Sequence, residues 1–310
     1  MHIQFGGRYR LRVYHGETDL LLHDTGWFDN LITNNGLDLL GTGFSATCYV
    51  GSDTAEPSAT DTSIANVLAS SSSASIYARP YEIATPPYYG AEQRTFTFGI
   101  GAVQGTIGQV AIGSSSSNLF SKARLTTAGG SPTTLTLSGI DRLTLTYELR
   151  QYIRTTDIEH TIDIDGEEYA CVNRAREIDQ PGYWSPSLGM SIGQANGGDS
   201  YAYSWVSLYT GGSDPFIGSL TGSPSGTATV CSSTSRNSYV AGSYVRNVSS
   251  TWDINKGTLT NITAIHFGIN YATSFGMGGR WQSSIEGPTL TKTQYQSLTL
   301  EWQFSWGRYP

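Results

Sequence analysis

Acidic residues crowd one short stretch: Asp157, Glu159, Asp163, Asp165, Glu167 and Glu168 all fall within 157–168. Two carboxylates about 5–9.5 Å apart across a groove would be enough for glycan cleavage. Strand alternation would put Asp163, Asp165 and Glu167 on one face. At a turn, however, such acids are simply solvated, and we assign no catalytic residue here. The same stretch, IDIDGEEY (162–169), also invites a calcium reading. A helix-flanked calcium loop needs oxygen ligands at positions 1, 3, 5 and 12 and glycine at position 6. With Gly166 at position 6, Asp163 and Asp165 fit positions 3 and 5, but Thr161 and Val172 fall at positions 1 and 12. Asp-Gly between alternating runs is instead a hairpin signal.

Other chemistry is thinly represented. The five histidines (His2, His15, His23, His160, His266) show no paired spacing, and His266, between Ile265 and Phe267, reads as a structural strand residue. Cys48, Cys171 and Cys231 have no metal spacing and imply no disulfide framework. There is no nucleophile elbow, phosphate loop or Cys-x-x-Cys pair, and the glycines at 99–101 lie in strand sequence with no helix after them, so no cofactor is expected. Aromatic side chains remain. Tyr183, Trp184, Tyr201, Tyr203, Trp205 and Tyr209 lie in weakly patterned sequence, as do Tyr81, Tyr88 and Tyr89. Flat, amphipathic rings suit contacts with sugars or proteins, and we take Tyr183–Tyr209 as the candidate contact region. The competing reading for any one of them is core packing.

The elements that must position these residues are strands. Thirty-six glycines, few charges (14%) and 12% aromatics describe a turn-rich all-β chain. A net charge of −7 disfavours a nucleic-acid partner. The one basic stripe, Arg8, Arg10 and Arg12, reads as an exposed or subunit-facing strand face. No apolar run is long enough to insert into a membrane, and MHIQFGGRYR has no signal-peptide character.

A spacing suggests that one unit occurs twice. IGQVAIG (107–113) and ITAIHFG (262–268) share a pattern, as do LTLTYEL (143–149) and LTLEWQF (298–304). From Gly113 to Leu143 is 30 positions, as it is from Gly268 to Leu298. RTFTFGIG (94–101) has a partner in SSTWDINKG (249–257). The offset of 155 residues is half the chain and matches Leu143 to Leu298. We therefore expect two related β-sandwich, jelly-roll-like domains in tandem, 1–153 and 154–310. Short helices are expected near 31–40, where Asp29 or Asn30 would cap the first turn and Thr33 or Asn34 a short helix over 35–40, and near 61–69, capped by Thr60 or Asp61. Residues 193–250 read as long surface loops. Leu298, Leu300, Trp302, Phe304 and Trp306 share a face that should tie the chain's end into the core.

DTGWFDNLITNNGLDLL (24–40) resembles a segment common near the start of tailed-bacteriophage virion proteins: Gly, an aromatic, Asn-Leu-Ile-Thr, then Gly-Leu. YVGSDTAEPSATDTSIANVLA (49–69), FTFGIGAVQGTIGQVAIG (96–113), NLFSKARL (118–125), PTTLTLSGIDRLTLTYELRQY (132–152) and TLTKTQYQSLTLEWQFSWGR (289–308) keep to the type. The resemblance implies a non-enzymatic structural protein of the tail tip, baseplate or fibre, made in the host cytoplasm and residing in the virion. Its partners would be other tail proteins and copies of itself. Alternatives are a module that binds a host surface glycan or pilus and a capsid decoration protein.

Overall fold

The computed structural model describes residues 1–127, 129–189, 191–192, 206–270 and 277–310. In the first half these form β1 (His2–His15), β2 (Leu21–Asp24), β3 (Phe28–Asp29), β4 (Leu31–Ile32), α1 (Asn34–Thr42), β5 (Thr47–Gly51), β6 (Val67–Ser71), β7 (Ala74–Ala78), β8 (Tyr81–Glu82), β9 (Tyr89–Phe98), β10 (Gly105–Ile107), β11 (Gln109–Ser115), β12 (Asn118–Arg124), β13 (Leu135–Leu137) and β14 (Asp141–Tyr152). In the second half they form β15 (Ile158–Ile164), β16 (Glu167–Ala175), β17 (Ser207–Thr210), β18 (Thr227–Val230), β19 (Ser233–Arg236), β20 (Val245–Trp252), β21 (Leu259–Asn270), β22 (Met277–Ser284), β23 (Leu290–Lys292) and β24 (Leu298–Arg308). The fold is all-β and sandwich-like.

One ten-stranded sheet runs β19-β20-β24-β1-β14-β9-β7, with β2, β3 and β8 attached at its margins. Two smaller sheets face it. Over the first half lies β4-β12-β11-β5-β6; over the second lies β15-β16-β22-β21-β17-β18, with β23 on β21. The layers meet through aromatic side chains. Tyr9 of β1 packs on Tyr147 of β14 with ring centroids 4.8 Å apart, and Phe120 of β12 meets Tyr147 edge-on. In the second half Phe267 of β21 stacks on Trp302 of β24, and Trp281 of β22 packs on Phe304.

Neighbour relations recur between the halves. The ladder β12-β11-β5-β6 has the same order as β22-β21-β17-β18, and β7-β9-β14 the same as β19-β20-β24. Phe98 stands opposite Leu143, and Trp252 opposite Leu298. Ile107 pairs with Leu135, and Ile262 with Leu290. The ten-stranded sheet nevertheless draws strands from both sides of residue 153, because the C-terminal β24 runs parallel to the N-terminal β1, His2 opposite Ser305.

Three local expectations change. The first helix begins at Asn34 and not at residue 31, because Leu31 and Ile32 pair with β12. Thr33 caps it: its hydroxyl accepts from Gly36 N at 2.8 Å and donates to Leu119 O. Leu37, Leu39 and Leu40 are buried. Gly36 serves close packing: a Cβ on it would sit 1.9 Å from the Phe120 carbonyl oxygen. No helix forms at 61–69. Asp61 accepts from Ser58 N and binds Lys122, Asn66 takes a positive φ of 48°, and Val67–Ser71 joins β5 as a strand. Finally, 207–252 is not loop alone but carries β17–β20; residues 193–205 lie outside the described residues.

Candidate functional site

The six candidate contact residues do not form one described surface. Tyr201, Tyr203 and Trp205 lie outside the described residues. Trp184 is 1% exposed, its indole nitrogen donates to Arg176 O at 3.2 Å, and its ring meets Trp281 edge-on at 5.2 Å. It is a core residue and not a surface contact, because a large apolar ring with a buried acceptor in reach is most stable there. Tyr183 is half-buried, with the Arg280 guanidinium 3.3 Å from its ring centroid. Tyr209 is half-buried on β17, between β18 and β21. An aromatic cluster that the sequence reading did not single out lies elsewhere: Tyr152 stacks on Tyr309 at 3.6 Å and packs beside Tyr89. Tyr89 and Tyr152 are cross-strand neighbours on β9 and β14, and the pairing of the chain's two ends adds Tyr309.

The acidic stretch is the predicted hairpin. β15 and β16 pair across Asp165 and Gly166, both with positive φ, and Asp163 accepts from Gly166 N at 3.1 Å. Asp157 grips Arg174 through two contacts of 2.6 and 2.8 Å, which hold its carboxyl below the usual range. Among the described residues, no group of His, Cys, Asp and Glu is arranged to hold a metal ion. Burial pushes the Cys171 thiol up to about 11, which keeps it protonated and unreactive. His266 is buried; desolvation first, then Arg176 and Arg280, drive its pKa well below the ordinary value.

The basic stripe is internally paired. Arg10 and Arg12 both bind Asp24, while Arg8 binds Glu148 at 2.8 Å. Glu148 is fully buried and also takes Arg150 and Gln93. Burial raises its pKa, but the bonds from Gln93, Arg8 and Arg150 outweigh that and leave it below the ordinary value.

A cleft of about 790 Å³ lies in the second half, between β24 and the β15–β16 hairpin. Leu298, Leu300 and Trp302 line one side, Ile162 and Ile164 the other, and Phe267 lies against Trp302. Asp163, Asp165 and Glu301 also line it, and no Lys or Arg does among the described residues. The sequence held a usable signal for this place. Leu143, Leu145 and Tyr147 are the counterparts of Leu298, Leu300 and Trp302, and only the first three are fully buried. The chain matches no protein-family model, no curated protein and no solved structure, so the site must be read from its own residues.

Proposed function

We propose that the chain is a non-enzymatic structural component of a tailed-phage particle, built into the tail tip, baseplate or fibre. One observation carries this reading beyond the sequence resemblance. Two of the segments that resemble virion proteins, 24–40 and 289–308, lie far apart in the sequence and are bonded to each other. Trp306 donates to Leu37 O at 2.8 Å, and Arg308 reaches Ile32 O and Asn34. Residues matching the type thus form a common joint, as expected where a framework has a mechanical role. The mechanism is rigid display: a continuous sheet carries loops and edges to neighbouring subunits, and no chemical step is required.

Immunogold electron microscopy of intact particles tests this. Label at the distal tail is the expected result. Label over the head would make the chain a capsid decoration protein, and absence of the protein from purified particles would overturn the reading altogether.

A further inference from the structure

We infer that the cleft beside β24 is an acceptor for an extended strand of another protein, one that alternates apolar with basic side chains. Along β24 the odd residues aim their backbone groups away from β20: Gln303 O takes the Met1 nitrogen at 2.6 Å, and Ser305 N donates to Met1 O at 2.8 Å. Even residues aim toward the β20 side, as Trp306 N does to Tyr244 O. The N–H and C=O groups of Thr299 and Glu301, and the N–H of Gln303, therefore face the β1 side. β1 reaches only to His2, opposite Ser305, so no described strand pairs with that edge over Leu298–Gln303. An unpaired edge with inward apolar neighbours is a template for strand addition.

The matching place in the first half shows what belongs there. β14 is flanked by β1 along its whole length, Gln4 opposite Tyr152 through to His15 opposite Asp141. With that neighbour, Leu143, Leu145 and Tyr147 are 0–1% exposed. Without it, Leu298, Leu300 and Trp302 stay half-buried, and the Trp302 indole N–H is buried with no hydrogen-bond partner among the described residues. The chemistry of the occupant follows from the lining. Its inward side chains would meet Leu298, Leu300 and Trp302, and its outward ones would pass Glu301, while Asp163 and Asp165 line the cleft from the β15–β16 hairpin. Arg154 stands only at the Met1 end. A second copy pairing edge to edge through β24 would set Glu301 and these acids against their own like charges, which is unfavourable.

The test uses the full chain and a fluorescent eight-residue peptide of alternating valine and lysine, with a valine–glutamate peptide as control. The expected result is binding of the lysine peptide, at least tenfold weaker binding of the glutamate peptide, and slowed exchange of the Thr299, Glu301 and Gln303 amides on binding. Glu301→Pro removes an outward N–H while leaving the β20 bonds, and should abolish binding. Should that variant fold poorly, six alternating Lys-Val residues added ahead of Met1 give an independent check, because they would run alongside Leu298–Gln303 and protect the same amides. No protection from either the peptide or the extension would overturn the inference. Equal binding of both peptides would overturn its charge component. Self-association lost in Glu301→Pro would identify a second copy as the occupant instead.

Discussion

β14 and β24 are equivalent strands in different surroundings. Both present alternating large apolar residues to a facing sheet, and both pair with a partner of the same rank, β9 or β20. β14 has a second neighbour over its full length; among the described strands, β24 has one only from Ser305 onward. Burial follows the neighbour and not the residue type. Tyr147 is 1% exposed and its hydroxyl is met by Asn30, whereas Trp302, larger and more apolar, remains half-buried, its N–H without a partner among the described residues. The contrast repeats within β24 itself, where Trp306, paired with Ile3 of β1, is 2% exposed. Alternation selects the face a side chain takes; lateral pairing determines how far water is removed from it.

Truncations should expose that contrast most strongly. Trp306→Ala removes a buried ring and its bond to Leu37 O, and should cost about 3–5 kcal/mol. Trp302→Ala should cost less than half as much in the free protein, read as a shift of the urea midpoint at unchanged slope. A comparable loss from both would mean that the open end of β24 is as well packed as the closed one. The leucine pair sharpens the point with chemistry held constant: Leu145→Ala should cost about 2–5 kcal/mol, and Leu300→Ala clearly less. Gly36→Ala, which drives a methyl group against the Phe120 carbonyl, should cost about 1–3 kcal/mol. Because α1 anchors Trp306, it should loosen the closed end of β24 and leave the amides of the open end unchanged by hydrogen exchange.

The smallest effect lies in pH dependence. The β14 position of Glu148 corresponds to Gln303 on β24, so a buried carboxylate sits on the covered strand alone. Its folded pKa is below the ordinary value, so between the two pKa values the unfolded chain binds the extra proton. The stability it contributes is present above about pH 4.3, the ordinary glutamate value, and is lost as pH falls through the folded value. Asp24, held low first by Arg10, acts in the same direction. His266, also lowered, begins to cost stability as pH falls below about 6.5. Glu148→Gln should flatten the acid limb of a stability profile, and Gln303→Glu should leave it unchanged. An acid limb unmoved by Glu148→Gln would place the titrating group elsewhere.

Much of the framework was legible in the sequence because period-two alternation and Asp-Gly turns are local signals. The strands at 143–149 and 298–304, the 165–166 hairpin and the Thr33 cap all follow from neighbours within a few residues. The helix expected at 61–69 failed because capping and apolar spacing there lost to a long-range partner, β5, whose edge Val67–Ser71 completes. Trp184 failed as a contact residue for the same reason: weak local patterning concealed a ring packed against Trp281. The cleft was legible only in outline. The repeat pointed to equivalent strands, but the missing neighbour depends on which strand β1 joins at the far end of the chain, and no local window carries that.

Amide hydrogen exchange on the free chain tests the central contrast most directly. The account predicts that Thr299, Glu301 and Gln303 exchange roughly a hundredfold or more faster than their counterparts Thr144, Thr146 and Glu148. Equal protection at the two sets would contradict it, because the edge of β24 would then be closed in the free protein.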